Sequence, residues 1–355
     1  RMRGKPHRKG DDAMKRDTKL AAVTFGELLL RLDPFGMDRL TQAETFRARY
    51  TGAEANVAVS LAGFGVHAYA VSKVPAHEIG QACINYLRRF GVDTGFIVRG
   101  GERLGVLYVE TGFSQRPAKV LYDRSHSSIR DLQPCELDWE QILAGKHWFH
   151  FSGTAPALGD NVTAVLEEAL DTAKRLGVTT SCDCNYRSKL WEPADAGRVL
   201  SRLFSRVDVC IGGVEDAEKL FGVRVPRNVR RREGAAAEYA AQRLRELFGF
   251  AWVGMTLRGG ASASVNDYSG LVCCAEGCFG SRPYQIQIVD RIGAGDAFTA
   301  GMVFQILSGA EPARVVEFAA AAACLKHTIP GDFNLVSADE VEELLRGGEA
   351  ARVRR

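Results

Sequence analysis

The sequence contains no run of roughly eighteen uncharged apolar residues, and no basic segment followed by an apolar one lies near its start. It indicates neither a membrane-spanning helix nor a secretory signal, so we predict a cytoplasmic protein. The nine cysteines are odd in number and lie mainly within apolar runs, where free cysteine behaves as a small hydrophobe. A framework of disulfides is therefore not expected.

Several motifs that define enzyme classes are also missing. The patterns G-x-x-x-x-G-K-[ST], H-E-x-x-H and G-x-S-x-G do not occur, and there is no internal repeat or low-complexity tract. The missing motifs argue against a P-loop nucleotide-binding protein, a zinc metalloprotease and an α/β-hydrolase. If the chain binds phosphate, it does so by the chemistry of another fold.

Positive charge is concentrated at the start of the chain. The formal net charge is +3, but residues 1–19 hold eight Lys or Arg against three Asp, which leaves about −2 for the remainder. We expect residues 1–19, and residues 348–355 at the other end, to be flexible tails. The body of the protein carries no basic excess that would predict nucleic-acid binding. The Arg-rich stretch at residues 223–234 is interpreted as a solvated loop.

The order of predicted elements indicates an α/β fold. The chain has 355 residues, of which 46% are apolar, enough for a large core. Short β-rich runs alternate with amphipathic helical stretches, an order typical of βαβ units around a mostly parallel sheet. Residues 33–50 and 101–125 instead read as strands and turns without helices. These two segments are predicted to form a separate small sheet that covers a site or contacts a second copy.

The segment "IVDRIGAGDAFTAG", residues 288–301, places an acid in a glycine-rich turn before a helical run. Gly293, Ala294 and Gly295 are small enough for a phosphate to approach the backbone, and the free amides of a helix start attract anions. Asp296 could either cap its own helix or accept a proton from a hydroxyl that attacks phosphorus. Spacing alone favours the capping role. A dinucleotide fingerprint is excluded because Phe298 stands where its third glycine or alanine belongs.

Two longer segments resemble a known family. "VDRIGAGDAFTAG" is similar to the C-terminal signature of the PfkB (ribokinase-like) carbohydrate kinases, and "YTGAEANVAVSLAGFG" to their N-terminal signature. "WFHFSGTAPAL" and "CDCNYRSKLW" further resemble members of this family that act on 2-keto-3-deoxygluconate. The resemblance implies a three-layer α/β/α kinase domain over residues 20–347 with a β-sheet lid. It also implies transfer of the ATP γ-phosphoryl group to the 6-hydroxyl of this sugar acid with Mg²⁺, in a homo-oligomer formed through the lid.

The resemblance also assigns site residues. It makes Asp296 the catalytic base and Gly293, Ala294 and Gly295 the anion hole. The sugar would be bound by Gly52, Asn56, Tyr108, Tyr122, Arg124 and Arg187. The nucleotide would be bound by Thr256, Arg258, Gly259, Gly293, Gly295 and Ala320.

Two arginines fit the chemistry of a keto acid. A substrate carboxylate favours a planar guanidinium that can donate two parallel hydrogen bonds, and Arg124 and Arg187 are of that type. Each could equally be a surface or ion-paired arginine. Strand alternation in "CDCNYR" would bury Cys182 and Cys184 and turn the polar residues between and after them toward a site.

One motif departs from the family. Gly213 stands where an asparagine is expected, and Glu215 and Asp216 keep the carboxylates that could hold the cation. Two alternatives therefore remain open. One is a kinase of another sugar, such as fructose, ribose or 5-keto-2-deoxygluconate. The other is a catalytically weak sensor of sugar acids or nucleotides on the same fold.

Overall fold

The computed structural model of the protein describes residues 20–260 and 262–347. The predicted tails, residues 1–19 and 348–355, lie outside the described residues. None of the described helices is both long and apolar enough to cross a membrane.

The described residues form fourteen β-strands, which belong to two sheets. Half of the strands are followed by a helix, among them β4, β8, β9 and β10 of the large sheet, as the alternating pattern predicts. In chain order the strands are β1 Ala21–Phe25, β2 Leu29–Pro34, β3 Phe46–Thr51, β4 His67–Val74, β5 Ile97–Arg99, β6 Gly105–Glu110, β7 Lys119–Asp123, β8 Trp148–Ser152, β9 Thr179–Asp183, β10 Val209–Gly212, β11 Trp252–Gly259, β12 Val265–Cys274, β13 Gly277–Gly280 and β14 Tyr284–Gln287.

Eleven α-helices lie in the same part of the chain, and several end at a glycine in the left-handed conformation. In chain order the helices are α1 Ala53–Gly63, α2 Glu78–Arg89, α3 Trp139–Leu143, α4 Asp160–Leu176, α5 Pro193–Phe204, α6 Val214–Phe221, α7 Arg227–Arg230, α8 Glu233–Phe248, α9 Ala294–Leu307, α10 Pro312–Lys326 and α11 Ala338–Leu345.

The large sheet has ten strands in the order β13-β12-β11-β10-β9-β8-β1-β4-β5, with β14 paired to β12. The strands from β11 to β5 are parallel, and β12, β13 and β14 add antiparallel pairs at one edge. Helices cover both faces, so strands in the middle are apolar on each side. Val23 and Phe25 of β1 pack into the core with α4 and α5, whereas Ala22 packs into the core with α1, α9 and α10.

The small sheet has four strands in the order β3-β2-β6-β7. Both predicted lid segments contribute strands to it, and its first strand begins earlier, at Leu29. Only residues 26–28 separate β1 from β2, so the small sheet is attached at the carboxyl end of β1, which lies between β8 and β4 in the large sheet. Leu29 and Leu107 pack together with Ile292, which lies beside the glycine turn. The small sheet therefore lies against the segment predicted to bind phosphate.

The described part of the chain contains one disulfide, although no framework of disulfides was expected from the sequence. The sulfurs of Cys273 and Cys278 are bonded across the β12–β13 hairpin, where the strand register places the two residues directly opposite each other. The other seven cysteines are free, and most of them are buried. Composition and spacing could not reveal the bonded pair, because they do not show which strands are neighbours in the sheet.

Candidate active site

A cavity of about 840 Å³ opens where the carboxyl ends of the parallel strands meet the small sheet. Its volume is in the range of sites that bind small molecules. The small sheet contributes apolar side chains to one wall, and polar groups come from the ends of β9 and β11, from the segments after β1, β8 and β10, and from the starts of α1 and α9. This edge of an open parallel sheet is where ligands bind in α/β proteins generally.

The glycine turn lies in the wall of this cavity. Gly293 is the N-cap of α9 and has a φ of 83°, a left-handed conformation that favours glycine. A Cβ atom at this position would lie 1.9 Å from the carbonyl oxygen of Asp332, so a side chain has no room there. Because the first amides of a helix have no intrahelical acceptor, those of Gly295 and Asp296 can donate to a phosphate, whereas the amide of Ala294 donates to the carbonyl oxygen of Arg291 at 3.4 Å.

Asp296 does not cap its helix. The N-cap position belongs to Gly293, and the Asp296 carboxylate instead accepts a hydrogen bond of 2.6 Å from the side-chain amide of Asn56 in α1. The capping role that spacing favours is therefore wrong. The carboxylate lines the cavity beside the glycine turn and is held by Asn56 of α1, the helix that packs beside α9.

Three carboxyl groups in this cavity have raised pKa values. Burial raises the pKa of Asp296 to about 7, with the Asn56 hydrogen bond opposing the shift and Asp332 and Glu54 adding to it. Burial also raises the pKa of Asp183 to about 7, aided by the charges of Asp296 and Asp216. Glu54 reaches about 7 through burial, against the hydrogen bond from Ser152. The groups repel one another, so their protonation is coupled.

A base with a pKa of about 7 gives a specific pH dependence. Asp296 must be ionised to accept a proton, so kcat/KM should fall with decreasing pH, with an acid limb centred near pH 7. At pH 6 about a tenth of such a group remains ionised. Initial rates between pH 5.5 and 9 would measure this limb. The residual activity of an Asp296→Asn variant should lack it, and a limb retained in that variant would assign it to another group.

Five of the six predicted sugar-binding residues line the cavity. Gly52, Asn56 and Tyr122 line it, as do both arginines. Tyr108 does not reach the cavity, because alternation along β6 turns Leu107 inward and places Tyr108 on the other face of the small sheet against Phe46.

The two predicted arginines differ in their surroundings. Arg124 is buried, and its Nε donates a 2.6 Å hydrogen bond to Glu27, whose carboxylate also pairs with a terminal nitrogen of the same guanidinium. The ion-paired interpretation therefore holds for Arg124. Arg187 is exposed at the cavity, and its guanidinium has no hydrogen bond or ion pair among the described residues. Of the two, Arg187 has the guanidinium available for a substrate carboxylate.

The segment from Cys182 to Arg187 follows the predicted alternation only at its start. Cys182 and Cys184 are buried, and Asp183 and Asn185 line the cavity. The strand ends at Asp183, and Asn185 adopts a left-handed conformation with a φ of 38°. Arg187 therefore reaches the cavity from a turn.

Some of the predicted nucleotide-binding residues line the cavity and others do not. Thr256 and Arg258 line the cavity, and the Nη2 atom of Arg258 lies 3.1 Å from the point where a Cβ on Gly295 would stand. Arg258 thus lies directly beside the glycine turn. Gly259 follows at the end of β11 outside the lining, and Ala320 is fully buried in α10 within the core. The structure does not bring Gly259 or Ala320 into this cavity, nor Ala294, which is buried beneath the turn.

Acidic residues line the wall opposite the small sheet. Asp183 and Asp216 face the cavity, and an oxygen of Asp216 accepts a 3.1 Å hydrogen bond from the amide of Gly213 at the start of α6. The Glu215 side chain is 81% exposed and pairs with Lys219 at 2.8 Å. Asp216 is therefore fixed toward the cavity, whereas Glu215 lies at its rim.

The family model for "pfkB family carbohydrate kinase" matches residues 19–337, which is most of the chain. The chain belongs to the PfkB family. Among curated relatives, a 2-dehydro-3-deoxygalactonokinase of Haloferax volcanii is 34% identical over 92% of this chain and 97% of its own length.

Solved structures share this fold. A 2-dehydro-3-deoxygluconokinase from Thermotoga maritima has 45% identity and a TM-score of 0.89, covering 93% of this chain and 99% of the other. A fructokinase with bound ATP from Xylella fastidiosa has 20% identity and a TM-score of 0.73, covering 92% and 98%. The fold is the ribokinase-like α/β fold, and the protein is a sugar kinase.

Sequence reasoning missed several residues of this PfkB site. Glu27, Thr51, Glu54 and Arg291 all line the cavity. Glu27 closely follows β1, and Arg291 precedes the glycine turn. Their positions at the end of a predicted strand and beside a predicted turn could have marked them as site residues. Arg230 also lines the cavity, where it pairs with Glu218, although its segment was interpreted as a solvated loop. A charge run alone does not show which of its members face a site.

Proposed function

We propose that this kinase transfers the γ-phosphoryl group of ATP to the 6-hydroxyl of 2-keto-3-deoxygluconate, also called 2-dehydro-3-deoxygluconate. The observation that carries the proposal is the position of Asp296. A half-buried carboxylate stands beside a glycine turn at a helix start, inside a cavity that also holds an arginine whose guanidinium has no ion pair among the described residues. The names of the relatives that match most of the chain support a sugar acid as substrate.

In the proposed reaction Asp296 acts as general base. One of its oxygens is held by Asn56, and the carboxylate accepts the proton of the sugar hydroxyl. The resulting oxygen attacks the γ-phosphorus, the bond from this phosphorus to the bridging oxygen breaks, and ADP departs with that electron pair. The amides of the glycine turn and the guanidinium of Arg258 stabilise the charge on the transferred group.

The sugar acid is held by its carboxylate in this account. Arg187 binds the carboxylate, while Gly52, Asn56 and Tyr122 form the surrounding surface. Arg124 contributes indirectly, because its ion pair with Glu27 fixes both side chains in the wall.

The carboxylate oxygens of the acidic wall are of the type that binds Mg²⁺. Hard cations prefer carboxylate oxygens, and neither Asp183 nor Asp216 has an ion pair among the described residues. We propose these two residues as the main holders of Mg²⁺, with Glu215 at the rim. The ion would supply neutralisation of the phosphate charge.

The small sheet is also the proposed contact between copies of the chain. Phe46 of β3 and Leu121 of β7 are exposed apolar side chains on this sheet, and Phe113 is exposed at the turn between β6 and β7. Their exposure supports a homo-oligomer formed through the small sheet.

A panel assay of ADP release tests the proposal. With ATP and Mg²⁺, we expect kcat/KM for 2-keto-3-deoxygluconate to be at least tenfold above that for fructose, ribose or 5-keto-2-deoxygluconate. Fructose and ribose offer Arg187 no carboxylate, and in 5-keto-2-deoxygluconate the carboxylate and keto group are arranged differently. The C4 epimer, 2-keto-3-deoxygalactonate, belongs in the panel because of the Haloferax volcanii relative.

Three outcomes of the panel are informative. Preference for the galactonate epimer would change the sugar while keeping the sugar-acid class. Preference for a neutral sugar would contradict the role of Arg187. Thermal stabilisation by sugar acid without any ADP release would favour the alternative of a sensor.

A further inference from the structure

Arg31, at the base of the small sheet, is 1% exposed and surrounded by three carboxylates. Its Nε lies 2.5 Å from Asp33, its Nη2 lies 2.7 Å from Asp290, and its Nη1 pairs with Asp332. Burial alone would lower the pKa of Arg31, and the three carboxylates raise it, so the guanidinium stays charged. Each of the three guanidinium nitrogens therefore contacts a different carboxylate. A lysine, which has a single side-chain nitrogen, could not make these three contacts in the same directions.

Two of the carboxylates lie on either side of the glycine turn. Asp290 precedes the turn and accepts the amides of Ile292 at 3.1 Å and Gly331 at 3.0 Å. The backbone of Asp332 packs directly on Gly293, where a Cβ would lie 1.9 Å from its carbonyl oxygen. Arg31 therefore joins the first strand of the small sheet to both segments that hold the turn.

A second buried cation, Lys326, forms hydrogen bonds to the segment before the glycine turn. Lys326 at the end of α10 is fully buried, and its ammonium donates to the carbonyl oxygens of Asp290 at 3.1 Å and Ile329 at 3.3 Å. Its charge and those of Arg31 and Arg49 balance the three carboxylates of the cluster. A balanced and hydrogen-bonded cluster of this kind has one favoured arrangement.

Hydrogen bonds lead from this cluster to Asp296. The hydroxyl of Thr51, at the end of β3, donates its one proton in a bifurcated hydrogen bond to the carboxylate of Asp332 and to the amide oxygen of Asn56, which lies 3.0 Å away. The amide nitrogen of Asn56 then donates to Asp296 at 2.6 Å. The two ends of an asparagine amide have the same shape, so its partners decide which end faces Asp296.

We propose that Arg31 and Thr51 are positioning residues, which tie the small sheet to the glycine turn and fix the amide of Asn56 so that its nitrogen faces Asp296. This inference rests on the proposed function of Asp296 as the base. Its consequence is that the base and the phosphate-binding amides are held by the same sheet that covers the sugar.

Thr51→Val removes the hydroxyl and keeps the shape of the side chain. Without that donor the Asn56 amide can rotate, and its oxygen then faces the Asp296 carboxylate and disfavours ionisation. We expect the midpoint of the Asp296 titration to rise by about 0.5 to 1, and kcat at pH 7 to fall about three- to tenfold, in line with the loss of one hydrogen bond. Thr51→Ser should restore both values.

The titration can be measured without turnover, from the ¹³C carboxyl resonance that disappears in Asp296→Asn. Besides Asn56, the charged groups that act on Asp296 are Asp332, Glu54, Arg187, Asp183 and Lys326, and all of them remain in the variant. Thr180→Val is the matched control, because Thr180 is a buried threonine at the start of β9, at the opposite end of the strand from the cavity.

Arg31→Lys extends the test to the cluster. Lysine cannot bridge three carboxylates, so we expect the same upward shift and a lower melting temperature. If this variant does not fold, the Thr51 series decides the matter alone.

The outcomes are separable. A raised midpoint in Thr51→Val that returns in Thr51→Ser, with Thr180→Val unchanged, supports the inference. A wild-type midpoint and kcat in Thr51→Val overturn it. If the wild-type protein phosphorylates no sugar acid, the proposed function fails, and the titration still decides whether Thr51 positions Asn56.

Discussion

Replacing Asp296 with asparagine is expected to lower kcat about a hundredfold or more, which is the usual size of a general-base effect, while binding of the sugar acid largely persists. Asparagine keeps the shape of the side chain and its contact with Asn56 but cannot accept the proton of the hydroxyl. The loss should therefore appear in kcat and not in the dissociation constant of the sugar. Steady-state kinetics and calorimetric binding measure the two quantities.

Asp160→Asn is the matched control. Asp160 lies in the first turn of α4, as Asp296 lies in the first turn of α9, but it is exposed and away from the cavity. If an acid at a helix start matters only through the helix dipole, both variants should lose a little stability and neither should lose activity. Wild-type turnover in Asp296→Asn would remove the base from the mechanism.

Replacing Arg187 with alanine is expected to raise KM for 2-keto-3-deoxygluconate by about ten- to a hundredfold, the size of one or two hydrogen bonds to a charged group. The guanidinium is exposed at the cavity and has no hydrogen bond or ion pair among the described residues, and it acts on the carboxyl groups of the cavity only through its charge, so its removal breaks no direct contact. The KM for ATP and the melting temperature should change little. Initial rates at varied sugar and varied ATP separate these effects.

Two comparisons test whether Arg187 binds a carboxylate in particular. Arg198→Ala removes an exposed arginine on α5 that does not line the cavity, and its KM values should match the wild type. A neutral sugar that is turned over slowly should show the same KM with and without Arg187. An unchanged KM for the sugar acid in Arg187→Ala would contradict the clamp.

The fold could be predicted because its signals are local. Apolar runs alternate with amphipathic helices, and each run becomes a strand of the large sheet. The glycine turn was also readable, since Gly293 has a left-handed φ that few other residues adopt. Two stretches that lack helical periodicity similarly marked the small sheet. Each of these inferences needs only neighbours along the chain.

The contents of the cavity depend on contacts between distant segments. Arg124 was predicted as a substrate ligand, but its partner Glu27 lies 97 residues earlier and no local pattern connects them. The face on which Tyr108 lies depends on the pairing of β6 with its neighbours. Arg31 is an arginine within a strand, and only the fold brings the carboxylates from the end of the chain around it.

The capping role of Asp296 was wrong for a related reason. Spacing shows that an acid lies near a helix start, but the N-cap is Gly293, and the acid is drawn instead toward Asn56 from the first helix. The two family signatures thus meet in one hydrogen bond. Their meeting could be expected from the resemblance and not from either segment alone.

The most direct test of the account is a crystal structure with 2-keto-3-deoxygluconate and a non-hydrolysable ATP analogue bound together with Mg²⁺. We expect an Asp296 carboxylate oxygen within about 2.6 to 3.2 Å of the 6-hydroxyl, with the γ-phosphate against the amides that follow Gly293. A ternary complex in which the small sheet is closed and that oxygen still lies about 10 Å from the hydroxyl, far beyond hydrogen-bond reach, would contradict it.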